Sequence, residues 1–577
     1  LQDAVKISSG GQAGLPVLHY TARQTFATSG TLDQEGSRLE LVSLPRLFDP
    51  VGGELRLSLS PSIGGAMLQA LDVLDMYPYD CNEQALSRFL PNLEAYRALQ
   101  TFGIESQDLR ERLDRNIQDG LNRLIARQNP DGGWGWWPGG ESDSYITSYI
   151  LFGLSRARLA GISVVDPAVQ KAIAFLNSGL PSPQMGMKPW ELDRLAFELF
   201  ALQQAGSGSP GNLSALYEVR DQLDPWAKAL LALTLDQSTP GDPGANALLS
   251  DVQSTAIRSA TGAHWEDQQP GWQNMDTTIT VSAIVVYALA LHEPASTLLP
   301  DAVRFLMSNQ QANGAWSSTY ETAWTLMAMT EFMKGTGELN GNFSYSALLN
   351  GAPFASGQVQ NPGTDINPVV ASAPLNNLFP EDPNALEIKR GAGPGRLYYN
   401  AYLSVYQPVE KAAPLNQGVE ISRSYFPLGS ACPEGSCAAV HSAKVGDLLN
   451  GVITLVLPND AYHFIVEDYI PAGTELLDTS LKTAQQGAEP QNSLNYNPEK
   501  PFDQGWGWWL FHPSQIYDDH IAWAADHLPA GTYQLKYTLV VLQPGQYRVL
   551  PAHAWQFYFP EVQGNSAGAV FDIQPEK

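Results

Sequence analysis

Two segments of the chain repeat one pattern. LIARQNPDGGWGWW (124–137) precedes SDSYITSYILFGL (142–154), and FLMSNQQANGAWSS (305–318) precedes TYETAWTLMAMTEF (319–332). In each, a helical pattern ends near a glutamine, a turn with Gly and Trp follows, and a second helical pattern begins. A weaker copy occupies residues 262–291. Such helix pairs cannot bury their apolar faces alone, so we expect them to stack on one another.

The repeats belong to a long helical region. From residue 63 to 336 the apolar spacing predicts about a dozen helices joined by short connections rich in Gly, Pro and Asp. About six helix pairs are enough to close an α/α toroid, and an open solenoid is the alternative. We therefore predict a helical toroid over residues 63–336.

Strand patterns flank this region on both sides. Residues 1–62 and the chain after 337 contain alternating, β-rich runs separated by Gly and Pro turns. Because the leading piece is too short for a stable sandwich by itself, we expect it to pair with residues 337–400 in one discontinuous domain. A separate antiparallel sandwich is predicted for residues 401–577.

The composition and net charge of the chain limit the classes of partner that it can bind. The 577 residues are 44% hydrophobic and 16% charged, which indicates a folded, multidomain protein, and the net charge of −26 disfavours nucleic acid. The longest apolar run, residues 279–291, is shorter than a membrane helix, so no membrane contact is predicted. Because the chain begins with Leu1 and lacks a leader pattern, we expect a processed or excised piece of a longer protein.

One short motif carries distinctive chemistry. In MYPYDCNEQALSRFL (76–90), Cys81 and Gln84 are three residues apart at the junction of two helical stretches, so their side chains can meet. Attack of the Cys81 sulfur on the Gln84 carboxamide, with loss of ammonia, would give an internal thioester. A lysine amine of another protein would then be acylated by Gln84 while Cys81 leaves as the thiol.

These residues and the order of domains resemble the α2-macroglobulin and complement family, most closely its bacterial branch. The motif is the family's Cys-x-Glu-Gln preceded by Tyr-Pro-Tyr, and a toroid follows it. Residues 1–62 and 337–400 are similar to the two parts of the family's CUB domain, and residues 401–577 to its last macroglobulin-like domain. The segments 465–476, 518–540 and 551–568 resemble strands of that last domain.

The resemblance implies a single-turnover protease trap and not a turnover enzyme. A protease cuts a bait region elsewhere in the molecule, and the buried thioester then becomes exposed and captures the protease covalently through its lysine amines. This chain would be the C-terminal part, acting with the remaining N-terminal macroglobulin domains and without a cofactor. The expected location is the periplasm or cell surface, with a lipid anchor possible on the full-length protein.

The resemblance also implies that aromatic residues keep water from the thioester, and Tyr77 and Tyr79 are the local candidates. Glu83 is a further candidate for that environment. In the complement branch a histidine on a toroid loop assists transfer to hydroxyls, but the connection of residues 178–193 contains none. We therefore predict aminolysis over ester formation, and His264 is the toroid's main candidate imidazole.

Other residues have more ordinary interpretations. Cys432 and Cys437 are candidates for a local disulfide, which indicates an oxidising compartment. No metal site is predicted, because the nine histidines show neither His-x-x-x-His nor His–Cys spacing. The string GWGWW occurs at 133–137 and 505–509, and its tryptophans are better explained by core packing than by stacking on sugars.

Two alternative functions remain open. An α/α toroid also serves glycan-active enzymes, which need paired carboxylates, and Asp143, Asp276 and Glu321 could gather in a cleft. The other alternative is an adhesin whose thioester anchors the protein to a partner surface.

Overall fold

A computed structural model describes the chain at residues 21–46, 48, 52–75, 81–102, 107–259, 262–267, 272–336, 341–360, 367–428, 438–478 and 508–575. The buried apolar residues form three cores, one mainly among the helices and two among the strands. The order of elements is β, then α, then β, as the sequence predicts.

The helical region contains twelve α-helices among its described residues. They are α1 (Ile63–Asp75), α2 (Asn82–Phe102), α3 (Gln107–Ala126), α4 (Ser144–Leu159), α5 (Asp166–Gly179), α6 (Pro189–Gln204), α7 (Pro210–Glu218), α8 (Pro225–Ser238), α9 (Pro243–Ser254), α10 (Thr278–His292), α11 (Leu299–Ser308) and α12 (Thr319–Thr336).

These helices form two concentric layers. The even-numbered helices contact one another in order from α2 to α12, and α12 contacts α2 again, which closes an inner ring. The odd-numbered helices pack around it. Inner helices are buried on most of their surface, and α10 has buried residues throughout Thr280–Ala290, because an inner helix faces protein on nearly all sides. The predicted toroid is confirmed, and the open solenoid is wrong.

The three repeated turns share one anchoring bond. In each copy a buried tryptophan donates its indole N–H to a backbone carbonyl near the end of the preceding outer helix. The bonds join Trp134 to Leu124, Trp265 to Val252 and Trp316 to Leu306, at 2.7, 2.7 and 2.8 Å. A buried indole N–H needs an acceptor, so this bond fixes the ring in the core. It thereby holds the turn in place immediately before the next helix begins.

The first β domain is discontinuous, as predicted. Its strands before the toroid are β1 (Thr21–Leu32), β2 (Gly36–Val42) and β3 (Gly53–Ser60). Within the toroid, β4 (Ile257–Ser259) and β5 (Gly262–His264) form a separate small hairpin. The strands after the toroid are β6 (Phe343–Leu349), β7 (Ala352–Val359), β8 (Val369–Pro374), β9 (Asn384–Arg390) and β10 (Leu397–Pro408).

Those strands form two four-stranded sheets around one core, in the orders β1-β10-β3-β8 and β2-β9-β6-β7. The predicted boundary after residue 400 falls inside β10, which pairs with β1 in a register that runs from Thr21 with Pro408 to Leu32 with Leu397. A strand hydrogen-bonded along its length cannot be divided between two domains, so this sheet continues to Pro408.

The C-terminal domain is a β-sandwich with its own core. Its strands are β11 (Leu415–Gln417), β12 (Glu420–Pro427), β13 (Ser442–Lys444), β14 (Leu448–Leu457), β15 (Ala461–Tyr469), β16 (Thr474–Leu476), β17 (Gln515–Ile516), β18 (His520–Leu528), β19 (Gly531–Val541), β20 (Gly545–Val549), β21 (His553–Gln556), β22 (Phe559–Asn565) and β23 (Ala569–Gln574).

A six-stranded sheet of that domain, β11-β22-β21-β15-β18-β17, faces the sheet β12-β14-β19-β16 across the core, and β13-β23-β20 forms a third, small sheet. In the part of the chain that the structure describes, no helix is both long and apolar enough to cross a bilayer.

The toroid is docked on both β domains. Gln310, at the end of α11, accepts hydrogen bonds from Asn400 and Tyr402 of β10 at 2.9 Å each. On the other side, Trp136 and Tyr558 belong to the same aromatic cluster although they lie in the toroid and the C-terminal domain. This second contact covers the motif at residues 81–84.

Candidate functional site

Cys81 and Gln84 meet through two reciprocal hydrogen bonds. The Gln84 side-chain oxygen accepts from the Cys81 backbone N–H at 3.1 Å, and the Cys81 sulfur accepts from the Gln84 backbone N–H at 3.4 Å. Both residues are buried, with 5% and 3% of their surfaces exposed. The carboxamide and the thiol therefore share one buried turn, as the reaction between them requires.

The start of α2 produces this arrangement. Cys81 precedes the helix, and its carbonyl accepts the bond from the Ala85 N–H at 3.0 Å that begins the helical ladder. The sulfur thus lies at the helix N-terminus, where unpaired N–H groups and the helix dipole stabilise negative charge. A thiolate at this position is a better leaving group than a thiolate in bulk water.

The repeated turn at residues 133–137 holds the motif in place. The Asn82 backbone donates to the Trp136 carbonyl at 2.9 Å, and the Asn82 side chain donates to the Gly135 carbonyl at 2.8 Å. Both bonds are buried, and Asn82 has no exposed surface. One element therefore anchors the toroid core through Trp134 and supports the reactive turn through Asn82.

Glu83 is enclosed by hydroxyl groups from three elements. Ser87 of α2 donates to its carboxylate, Thr319 of α12 donates at 2.9 Å, and Tyr558 of the C-terminal domain donates at 2.7 Å. The Cys81 thiol approaches the same carboxylate at 4.0 Å. Glu83 therefore links α2 and α12, the first and last helices of the inner ring, to the C-terminal domain.

Burial controls the ionisation of this acid. Glu83 has no exposed surface, and desolvation raises its pKa above the ordinary value of a glutamate. The three hydroxyl bonds and the charge of Arg88 act in the opposite direction and stabilise the carboxylate. The group is consequently easier to protonate in the folded chain than in the unfolded one.

An apolar cavity of about 310 Å³ adjoins the motif between the toroid and the C-terminal domain. Cys81, Gln84 and Trp136 line it from the toroid, while His463 and Tyr558 line it from the other side. Asp526 is the one acidic residue among its lining residues. The cavity is large enough for a small amine and far too small for a folded protein.

His463 covers the site in an unusual conformation. Its φ is 48°, in the left-handed region that only a few per cent of non-glycine residues adopt, among them mainly Asn, Asp and His. The ring lies with its centroid 4.0 Å from that of Trp136 and 5.0 Å from that of Tyr558. Burial lowers the pKa of His463 to about 4, so the imidazole is neutral at pH 7.

The structure brings Cys81, Glu83 and Gln84 together and adds residues that the motif does not reveal. Trp136, His463 and Tyr558 were not predicted at the site, and the latter two lie hundreds of residues from it. Tyr77, Tyr79, Cys432 and Cys437 lie outside the described residues, so the predictions for shielding and for a disulfide stay predictions.

The toroid histidines occupy other places. His264 stacks on Phe305 with a centroid separation of 4.5 Å, and His292 approaches Asn246 at 3.0 Å. Neither lines the cavity at Cys81. Trp134 is a core residue as predicted, but Trp137 reaches Asp526 of the C-terminal domain at 3.3 Å.

Two of the three carboxylates proposed for a glycan-active cleft have separate local partners, and the third, Asp276, lies in a different group of acids with Asp224 and Asp267. Asp143 caps α4 by accepting from the Ile146 N–H at 3.0 Å. Glu321 accepts from Thr277 at 2.5 Å and from the Ser317 N–H at 2.9 Å. Asp143 and Glu321 thus have structural roles at the starts of two different helices, and no bond joins one to the other. The described residues therefore do not favour a glycan-active site.

Comparison with known families agrees with this geometry. The family model described as the A-macroglobulin TED domain matches residues 58–205 and 211–332, which is the toroid. The model described as the bacterial alpha-2-macroglobulin MG10 domain matches residues 418–561, which is most of the C-terminal sandwich.

Curated relatives extend the similarity to most of the chain. The alpha-2-macroglobulin of Escherichia coli is 26% identical over 91% of this chain, and the homolog of a Nostoc species is 23% identical over 90%. That of Thermotoga maritima is 33% identical over 31%. The chain spans 30% of the length of the E. coli protein and 27% of the Nostoc protein.

Solved structures show the same fold. Native E. coli alpha-2-macroglobulin from domain MG7 to the C-terminus matches with a TM-score of 0.68 at 20% identity, over 96% of this chain and 82% of that one. Salmonella alpha-2-macroglobulin reacted with methylamine also matches with 0.68 at 20% identity, over 96% of this chain and 34% of that one.

Proposed function

Because this chain belongs to the bacterial branch of the α2-macroglobulin family, we propose that it is the thioester-bearing part of a broad-spectrum endopeptidase inhibitor. One observation carries the proposal: the Cys81 sulfur and the Gln84 carboxamide are held on one buried turn at a helix N-terminus. It acts once per molecule, as a covalent trap and not as a turnover enzyme.

The proposed chemistry has two steps. In the first, the Cys81 sulfur attacks Cδ of Gln84, the C–N bond breaks, and ammonia leaves with the thiol proton. In the second, a lysine amine attacks the same carbon, the C–S bond breaks, and Cys81 takes the amine's proton as it becomes a thiol again. The Gln84 N–H at 3.4 Å from the sulfur supports departure of the thiolate.

The resting state must exclude water and proteases, because a wet thioester hydrolyses. The aromatic cover formed by Trp136, His463 and Tyr558 supports this requirement. We propose that cleavage of a bait region elsewhere in the protein releases the C-terminal domain from the toroid. Exposure of the Cys81–Gln84 bond then allows capture of the nearby protease.

We further propose that lysine amines react in preference to hydroxyls. Both imidazoles that line the cavity, those of His463 and His512, belong to the covering domain and so depart when that domain moves. An amine is nucleophilic enough to react with a thioester without such a base, whereas a hydroxyl is not. Parallel incorporation of methylamine and glycerol tests this preference, and dominant glycerol incorporation would contradict it.

We also propose the partners of this chain and the compartment in which it acts. Target endopeptidases would be bound through their lysines, and the N-terminal macroglobulin domains of the same protein would contact this chain. The periplasm or cell surface is the proposed compartment, with a lipid anchor possible on the full-length protein. Cell fractionation with an antibody against this chain would place it, and a cytoplasmic pool would contradict the proposal.

The function is tested by labelling with a biotinylated primary amine. We expect label on Gln84 in the wild-type chain and none in Cys81→Ala, with peptide mapping to identify the residue. In the full-length protein, an active protease should form a covalent complex, and the same protease with methylated lysines should not. Equal labelling of the wild type and Cys81→Ala would reject the thioester.

A further inference from the structure

Four aspartates from four separate elements meet inside the toroid, and we name them the aspartate cluster. Asp193 lies in α6, Asp224 precedes α8, Asp267 follows β5 and Asp276 precedes α10. Carboxylate oxygens of Asp224, Asp267 and Asp276 lie within 4.8 Å of one another. The backbone N–H of Asp224 donates to Oδ1 of Asp193 at 2.9 Å, which places the fourth acid beside the other three.

The cluster is largely removed from water. Asp193, Asp224 and Asp276 are 0%, 4% and 5% exposed, while Asp267 is half-buried. Ordinary acidic clusters are solvated on a surface, where each carboxylate keeps its hydration. Three of these four have lost it, so their charges need another form of compensation.

Several of the buried oxygens have no protein donor. Neither carboxylate oxygen of Asp276, nor Oδ2 of Asp193, receives a hydrogen bond from any residue that the structure describes. Buried carboxylates normally accept several hydrogen bonds, and oxygens left without donors indicate a missing positive ligand.

The nearest basic side chains on α6 and α8 are engaged with other groups. Lys228 donates to Asp251, outside the cluster, at 2.6 Å. Arg194 donates to the Asn274 side chain at 3.1 Å and to the Gln273 carbonyl at 2.7 Å. Helix N-termini beside Asp224 and Asp276 supply only partial positive charge. The charge of Lys228 still acts to lower the pKa of Asp193, but one lysine charge does not balance four carboxylates.

We propose that the aspartate cluster binds a divalent cation, calcium, within the toroid. Calcium takes oxygen ligands at about 2.4 Å, so oxygens around one ion lie up to about 4.8 Å apart, as three of these carboxylates do. The donors are all hard oxygens with no imidazole or thiolate among them, a set that suits calcium better than zinc. The half-buried Asp267 leaves a route for the ion.

The ion would stabilise the toroid by joining elements that are distant in the sequence. The segment before α10 is already strained, since Met275 has a φ of 56° although it is fully buried. Its neighbour Asn274 accepts from Tyr145 of α4 at 2.6 Å. A cation bound by Asp276, Asp224 and Asp267 would fix this segment against α8 and the β4–β5 hairpin. The histidine spacing on which the sequence prediction rested could not reveal such a site.

A shared proton is the competing explanation. Burial and the neighbouring Asp267 raise the pKa of Asp276 above its ordinary value, so protons compete with a cation for the same oxygens. The two explanations differ in one respect. A cation site predicts stabilisation by calcium at constant pH, whereas proton sharing predicts stabilisation by acid alone.

The test uses the whole chain after removal of metals with a chelator. Equilibrium dialysis with radioactive calcium should find one bound ion per chain. Calcium at a hundredfold excess over its Kd should raise the unfolding temperature by about 5 °C. Asp276→Asn should lose this response, while Asp251→Asn, which changes a nearby acid outside the cluster, should keep it. Magnesium at equal ionic strength controls for screening.

Three results would overturn the site. These are no ion retained in dialysis, an equal calcium response in the wild type and Asp276→Asn, or stabilisation by acid without any by calcium. If Asp276→Asn does not fold, Asp267→Asn at the half-buried position should weaken calcium binding at least tenfold, and unchanged binding there would also overturn the proposal. Cys81→Ala should bind calcium normally, so failure of the thioester proposal would leave this one standing.

Discussion

The Tyr558 hydroxyl donates a 2.7 Å hydrogen bond to Oε2 of Glu83, across 475 residues of sequence. Glu83 lies between Cys81 and Gln84 in the motif, and Tyr558 belongs to the domain that covers them. The bond therefore links the reactive turn directly to its cover, and it must break whenever the C-terminal domain leaves the toroid.

Substitution of Tyr558 by Phe should loosen this cover. The loss of one buried bond to an acid costs about 1–2 kcal/mol, which corresponds to roughly tenfold faster thiol release with methylamine if opening limits the reaction. The rate of thiol appearance measures the effect. Tyr462→Phe, in the same domain but stacked on His527, is the control and should react at the wild-type rate. Equal rates for the two variants would show that this hydrogen bond does not limit the access of methylamine to the site.

Glu83→Gln should change how stability depends on pH. The folded-state pKa of Glu83 is raised above 4.5, so its contribution to stability is present below pH 4.5 and is lost as pH rises through the folded value. The wild type should therefore lose stability relative to the variant as pH increases through that window. Urea unfolding at several pH values gives the difference, and parallel curves would contradict the raised pKa.

His463 has the opposite dependence. Its folded-state pKa is lowered from 6.5 to about 4, so its contribution is present above pH 6.5 and is lost as pH falls toward 4. The loss amounts to about 2 kcal/mol for a ring that keeps some solvent contact. His463→Asn, which tolerates the left-handed backbone, should lack this loss, while His527→Asn on the surface should retain it. The methylamine reactivity of the wild type relative to His463→Asn, compared at the same pH, should rise as pH falls through this range, since protonation of methylamine slows both proteins alike.

Much of this architecture is readable from local sequence, and the reason is the short range of its determinants. Trp134 and Trp316 each donate a hydrogen bond to a carbonyl ten residues earlier, so the repeated turns can be recognised from the local sequence. Cys81 and Gln84 meet within one turn for the same reason. Spacing therefore predicts the stacked helix pairs, which could form a toroid or an open solenoid, and the candidate reactive pair.

Contacts between domains have no such signal. Nothing near Tyr558 or His463 indicates that they face residues 81–84, because the contact depends on how two folded domains dock. Trp136 resembles its buried neighbour Trp134 in sequence, yet it lines the interface cavity. The misplaced boundary at residue 400 had a local signal, since the strand pattern continues without interruption to Pro408.

The repeated turns provide a separate test of the fold. Trp316→Phe removes the indole donor to Leu306 and leaves a buried carbonyl and a small void, so we expect a loss of about 2–3 kcal/mol. Trp134→Phe should behave alike. Trp509→Phe, at a 47% exposed position, should change the unfolding free energy by less than about 0.5 kcal/mol. Similar small losses at all three positions would show that the indole bonds do not anchor the toroid.

The most direct test of the account is the intact mass of freshly purified chain, measured with and without methylamine and paired with a thiol assay. We predict a mass lower than the sequence mass by one ammonia, a gain of one methylamine on treatment, and release of one thiol at Cys81. A peptide map should place the methylamide at Gln84. A mass equal to that of the sequence, with no response to methylamine in freshly isolated full-length protein, would contradict the thioester and the trap built on it.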